Sequence, residues 1–122
     1  MADKLLIVLS SIDISRAEAI LPPLSQANIA AAMDYDVEVL FTGHTGRLSI
    51  KGVAEKITLE HSSYQNIYEL IKEGFEAGVK YKVCTPSLDL WGDDLIEEIG
   101  ETVGGAYMIS ETMDDSVATL AY

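Results

Sequence analysis

Short apolar runs of strand length alternate along this chain with longer stretches in which apolar residues recur at helical spacing. Leu5-Leu-Ile-Val-Leu9 is a continuous apolar run ending in the polar turn Ser10-Ser-Ile-Asp13, the pattern of a strand buried on both faces. Val37-Glu-Val-Leu-Phe-Thr42, closed by Gly43, predicts a second strand, and Tyr81-Lys-Val-Cys84 a third. Ala106-Tyr-Met-Ile109, after the Gly104-Gly105 break, reads as a fourth and Val117–Tyr122 as a fifth. Between them, Ile20, Leu24, Ala27 and Ala31 lie on one helical stripe. Pro22-Pro23 interrupts it, so either the helix kinks there or its main part begins at the prolines. Ile67, Ile71 and Phe75 mark a second helix, with Ser62 or Ser63 as its N-cap and Gly78 at its C-terminal stop. Leu95, Ile96, Ile99 and Val103 predict a third, with Asp93 and Asp94 at its positive end. A short helix from about Ser110 to Asp115 bridges to the last strand. Strands that alternate with helices build parallel βαβ units with right-handed crossovers. The expected fold is therefore α/β: a three-layer α/β/α sandwich around a mostly parallel five-stranded sheet, in one domain spanning residues 1–122.

In such a sheet the loops after successive strands leave from one edge. Ser10–Asp13, Gly43–Arg47 and Cys84–Gly92 thus converge on a common rim, the natural place for a site. Cys84 is the only cysteine and sits where its strand meets that rim. The competing reading is a small core hydrophobe, since free cysteine is among the most buried residue types. Ser10, His44, Arg47, Thr85 and Ser87 share the rim and are the candidates to support the thiol. Lys80 and Lys82 alternate with Tyr81 and Val83 and are read as pointing away from it. Tyr81 and Trp91 are read as packing residues.

Charge narrows the field. The formal net charge is −12, with 20 acidic and 8 basic residues, which argues against a nucleic-acid partner and against anionic membranes. Every Lys and Arg lies at or before Lys82, whereas nine acids and no base follow Cys84, so one face is expected to be acidic. A lone cysteine excludes an internal disulfide and fits a reducing compartment. The first apolar run is too short for a signal segment or a membrane span, so the expected location is the cytoplasm.

Most thiol chemistries fail against these residues. Cys84-Thr-Pro-Ser87 is a single-thiol variant of Cys-x-x-Cys, but no proline follows Pro86 to face the thiol as thioredoxin-like folds require. A peroxiredoxin pattern would need Pro and Thr where Ala77 and Tyr81 stand, and no second cysteine exists to resolve a sulfenic acid. A phosphatase or rhodanese loop would place an arginine soon after the cysteine; there is none. Thr42-Gly-His-Thr-Gly46 lacks nucleotide-binding spacing. His44 and His61 offer no metal-ligand spacing, so neither cofactor nor metal is expected.

Taken in order, Lys4-Leu-Leu-Ile-Val-Leu-Ser10, Ala27-Asn-Ile-Ala-Ala-Ala-Met33 and Asp36-Val-Glu-Val-Leu-Phe-Thr-Gly43 form a familiar series. It continues through Leu70-Ile-Lys72, Ala77-Gly-Val79, Val83-Cys84, Asp94-Leu-Ile96 and Ala118-Thr-Leu-Ala-Tyr122. The arrangement resembles the DsrE/DsrF/TusD-like sulfur-relay family, including the branch labelled predicted peroxiredoxins, over nearly the whole chain. The resemblance implies homo- or hetero-oligomers, here a homotrimer or homohexamer. It also implies a strand-end cysteine, matched by Cys84, that holds sulfur as a persulfide or thiosulfonate and passes it between proteins. Sulfur transfer requires the thiolate, which the acids after Cys84 would oppose if they faced it and which His44 or Arg47 would favour. The acidic face further implies a donor or acceptor protein with a basic docking face. A non-catalytic oligomeric module, or a small-ligand binder with a structural Cys84, is the alternative, because a fold alone does not carry an activity.

Overall fold

The computed structural model describes residues 2–122. Five strands, β1 (Lys4–Leu9), β2 (Asp36–Phe41), β3 (Lys80–Cys84), β4 (Ile99–Val103) and β5 (Val117–Ala121), form one sheet in the order β4-β3-β2-β1-β5. Every neighbouring pair is parallel. Four α-helices alternate with them: α1 (Ala17–Ala32), α2 (Ile67–Ala77), α3 (Thr85–Trp91) and α4 (Gly105–Thr112). Two 3-10 segments, Gly43–Ser49 and Ala54–Lys56, lead from β2 towards α2.

The strand order decides which face each helix covers. From β1 to β4 the chain steps one way across the sheet, and right-handed crossovers put α1 and α2 on a common face. To reach β5 it must return past β1, and the same handedness sends α4 over the opposite face. The core is accordingly lopsided. Ile7, Leu9, Val39, Phe41, Tyr81 and Val83 pack against Ile20, Leu24, Ala27, Leu70 and Ile71 in one large cluster. On the other face the buried apolar cluster is only Leu6, Val8, Leu40 and Val103, under the half-buried Tyr107 and Met108 of α4. No residue of α4 itself is buried.

Several sequence expectations are corrected. The stretch around Leu95–Val103 is not a helix: Leu95 and Ile96 lie in a loop, and Ile99–Val103 is the edge strand β4. Ala106–Ile109 is not a strand but the middle of α4, which also replaces the helix expected from Ser110 to Asp115. The loop expected after Cys84 is the helix α3. Helix α1 does not begin at the prolines: it runs through both, from Ala17 to Ala32. Helix α2 is capped by Asn66, whose side chain accepts the N–H of Glu69 at 3.0 Å, rather than by Ser62 or Ser63. Glu69 reaches back to accept the N–H of Gln65, the residue before the cap, at 2.8 Å, so one orphan donor of the first turn and one donor just ahead of it are satisfied together. Gly78 ends α2 at φ +105°, where its lack of a Cβ removes the left-handed penalty. Phe75, counted on the buried stripe, is exposed.

Helices α1 and α2 meet at Gly74, where an added Cβ would collide with the Tyr81 hydroxyl and the Asn28 side-chain oxygen. Asn28 donates to the Leu70 carbonyl at 3.1 Å, and Tyr81 is buried in the core, so neither side chain is free to retreat. Gly74→Ala should therefore destabilise the fold by about 1–3 kcal/mol through overpacking. Chemical denaturation checks this. A change below about 0.5 kcal/mol would mean that the helices separate without strain.

Candidate functional site

The loops after β1, β2 and β3 do gather at one sheet edge, stitched by short-range hydrogen bonds. The Thr42 N–H donates to the Leu9 carbonyl at 2.9 Å, and the buried Thr45 hydroxyl bonds the carbonyls of Leu9 and Thr42. Trp91, at the end of α3, donates its indole N–H to the Gly43 carbonyl at 3.0 Å. The Arg47 guanidinium lies 5.3 Å from the Trp91 ring centroid, and the His44 ring meets its edge at 6.3 Å.

Cys84 occupies the junction between β3 and α3. Its backbone is extended, and Pro86 falls in the first turn of the helix, where a missing N–H costs nothing. The half-buried thiol is free, and Sγ lies 3.2 Å from the Ser87 hydroxyl. Ser87 is itself 2 % exposed, wedged over Gly46 so closely that a Cβ there would come within 2.7 Å of its own Cβ. The glycine of the second loop thus permits α3 to dock, and the docked helix holds the hydroxyl against the sulfur. Thr85 is exposed, and its hydroxyl ties α3 to β4 through the Val103 carbonyl at 3.2 Å.

Beside the thiol is a small pocket of about 140 Å³, lined by Leu40, Thr42, Cys84, Pro86, Gly104, Gly105 and Met108. Its wall is apolar apart from Thr42 and carries no cationic side chain. Val103, the neighbour of Cys84 in register, is buried on the α4 face, so the thiol opens to that face as well.

Of the residues expected to support the thiol, the structure brings Ser87 to it and leaves the others elsewhere. Ser10 is exposed at the β1–β5 end and bonds the Tyr122 carbonyl through its hydroxyl. His44 and Arg47 engage Trp91, about 10 Å of helix axis beyond Cys84. Lys82 corrects a parity error. Residues two apart on a strand share a face, so Lys82 lies on the side of Cys84 rather than away from it. Its ammonium is taken up by Glu38 at 2.9 Å and Glu101 at 2.8 Å, and by the Tyr107 hydroxyl at 2.8 Å. The pocket residues Leu40, Thr42, Pro86, Gly104, Gly105 and Met108 were not anticipated. Gly104-Gly105 was the one available signal, since a pair without side chains admits close approach from a neighbour.

The acids after Cys84 are less free than their number implies. Glu98 is buried and accepts the Tyr68 hydroxyl at 2.8 Å, Glu101 pairs with Lys82, and Glu111 with Lys4 at 3.2 Å. Asp94 lies 3.4 Å from Lys51 and Asp114 accepts from the Ser116 N–H and hydroxyl, leaving Asp89, Asp93, Glu97 and Asp115 as exposed acids outside these pairings. Among the described residues no group of three or more His, Cys, Asp or Glu is arranged to hold a metal, and no helix is long and apolar enough to cross a membrane.

Among curated proteins none matches this chain. Among solved structures, the fold is similar to that of the YchN protein from E. coli, with a TM-score of 0.66 at 16% identity over 98% of this chain and 100% of that one. It is equally similar to BT1422, a conserved protein of unknown function from Bacteroides thetaiotaomicron, with a TM-score of 0.66 at 13% identity over 98% and 95% of the two chains. These likenesses establish the α/β fold. The model of the DsrE/DsrF-like family matches residues 4–121, from the first residue of β1 to the last of β5, and the chain belongs to that family.

Proposed function

We propose that this protein carries sulfane sulfur, accepting it on Cys84 and handing it to a partner protein. The observation that carries the reading is the seat of the thiol: a free sulfur at a strand end, held by the Ser87 hydroxyl and open to a small apolar pocket. Membership of a family generally linked to sulfur relay supports it. In the loading step the Cys84 thiolate attacks the outer sulfur of a donor persulfide, R–S–SH. A new S–S bond forms as the donor's S–S bond breaks, giving Cys84–S–SH and R–S⁻ with no net oxidation. Leu40, Pro86 and Met108 in the pocket suit a polarisable, weakly hydrated sulfane sulfur.

The same reading includes self-association into a closed trimer or hexamer, and a donor or acceptor that presents basic groups to the exposed acids after Cys84. A working free thiol belongs in a reducing compartment, and the cytoplasm is the proposed location.

Intact-protein mass spectrometry after brief exposure to polysulfide tests the central step. The native protein should gain the mass of one or more sulfur atoms, lose it to a reductant, and fail to gain it as Cys84→Ser. Native protein that stays unmodified while the unfolded chain reacts would make Cys84 a packing residue and end the proposal.

A further inference from the structure

We propose that a second copy of this chain docks on the face formed by the outer side of α1 and the free edge of β5; this deepens the self-association proposed above by naming its surface. Absence of charge marks the face. The chain carries 20 acidic and 8 basic residues, yet none falls between Ala19 and Met33 or between Ser116 and Tyr122. These two uncharged stretches are α1 beyond its first turn and β5, and they are adjacent in space. Tyr122 bonds Gln26 of α1 through its hydroxyl. Between them runs an apolar groove of about 310 Å³, lined by Leu5, Gln26, Ile29, Met33, Tyr35 and Ala118. Lys4 also borders it, but its ammonium is turned to Glu38 and Glu111. Ile29, Met33 and Tyr35 are 60 %, 61 % and 55 % exposed, and Leu120 of β5 is 42 % exposed beside them.

The occupant follows from the same charges. Two copies at −12 each repel wherever their acids meet, so they can approach only where both lack charge. A basic partner gains nothing here and would settle on Asp89, Asp93 or Glu97 instead. Depletion of charge with exposed Met, Tyr and aliphatic side chains is also the composition of an interface core. The edge of β5 adds polar complementarity. Tyr122 directs both its N–H and its carbonyl towards β1, each bond 2.8 Å long, so by alternation Val117, Thr119 and Ala121 turn theirs outward where no strand follows. An edge of this kind is self-complementary about a two-fold axis.

Sedimentation at micromolar concentration, comparing wild type with Ile29→Glu/Met33→Glu, tests this. Both side chains are well exposed, so the variant should keep its circular dichroism, and its self-association should weaken at least ~100-fold. Ile29→Ser alone should weaken it about tenfold, and Leu90→Glu, exposed elsewhere, should leave it unchanged. Raising the salt should tighten wild-type assembly, because the acids of the two copies, among them Asp34 and Asp36 on either side of Tyr35, oppose it. A double variant that associates as well as wild type would place the contact on another face and leave self-association intact. A monomeric wild type would overturn both.

Discussion

Glu38→Ala should cost about 3–5 kcal/mol of stability, the loss expected when buried cations are deprived of their counter-ion. Glu38 is 1 % exposed on the face under α4, and three donors converge on it: Lys4 Nζ at 3.1 Å, Lys82 Nζ at 2.9 Å and the Tyr107 hydroxyl at 2.7 Å. Removing the carboxylate leaves two half-buried ammonium groups without their shared counter-ion and takes away the acceptor to which Tyr107 of α4 donates. Burial pushes the Glu38 carboxyl up, but hydrogen bonds from Lys82, Tyr107 and Lys4 outweigh it and hold the group below the usual carboxylate range. A carboxyl depressed in the fold contributes stability above its unfolded value, near pH 4.3, and loses it as pH falls through the folded value. Lys4 and Lys82 are displaced the other way. Burial lowers them, but their hydrogen bonds to acidic partners win and raise both. Their contribution is complete below about pH 10.4 and is lost as pH rises beyond it. Urea unfolding of wild type should therefore show a plateau between these limits, and Glu38→Ala should flatten the acid side. A loss below about 1 kcal/mol would mean the cluster behaves like an exposed ion pair.

Gly46→Ala should cost about 1–3 kcal/mol and also change the reactivity of Cys84, without touching the thiol. The new methyl would stand 2.5 Å from the Ser87 hydroxyl, 2.7 Å from Ser87 Cβ and 3.4 Å from Trp91. A hydroxyl can rotate away, but a Cβ is fixed to its helix, so α3 must move as a body. The hydroxyl then leaves the sulfur. Gly104→Ala, beside the same pocket but with nothing within 4 Å of the added carbon, is the matched control. Thermal unfolding and the rate of Cys84 alkylation should change together in the first variant and in neither measure in the second. An unaltered alkylation rate in a destabilised Gly46→Ala would dissociate the Ser87 contact from the chemistry.

Much of this architecture was legible because parallel strands buried on both faces advertise themselves. Leu5–Leu9 and Val37–Phe41 are unbroken apolar or β-branched runs but for Glu38, and Tyr81–Cys84 ends at the rim as its spacing requires. The region after Cys84 misled for a physical reason. Ile96, Ile99 and Val103 stand three and four apart, as on a helix, but an edge strand needs few buried positions, and only Val103 of β4 is buried. Gly100 within that stretch was the contrary signal, since a mid-helix glycine is unfavourable. Helix α4 deceived in the opposite sense: Ala106-Tyr-Met-Ile109 is as apolar as a buried strand, yet none of it is fully buried and Ile109 is exposed. At the site, Cys84 could be found from its place at a strand end. Its partner Ser87 was only one candidate among five, because what selects it is the close approach of α3 over Gly46, a contact across 41 positions of sequence.

The position of β5 beside β1 sets a schedule for synthesis on the ribosome. β1 emerges first and pairs with β2 early, but its other side waits for Val117–Ala121, some 76 residues behind Phe41. At cellular elongation rates that is roughly 4–15 s during which the most apolar strand of the protein has an open edge. A chain arrested ahead of Val117 keeps that edge indefinitely. The nascent chain, rather than the finished fold, is thus the species most exposed to aggregation and most in need of a chaperone.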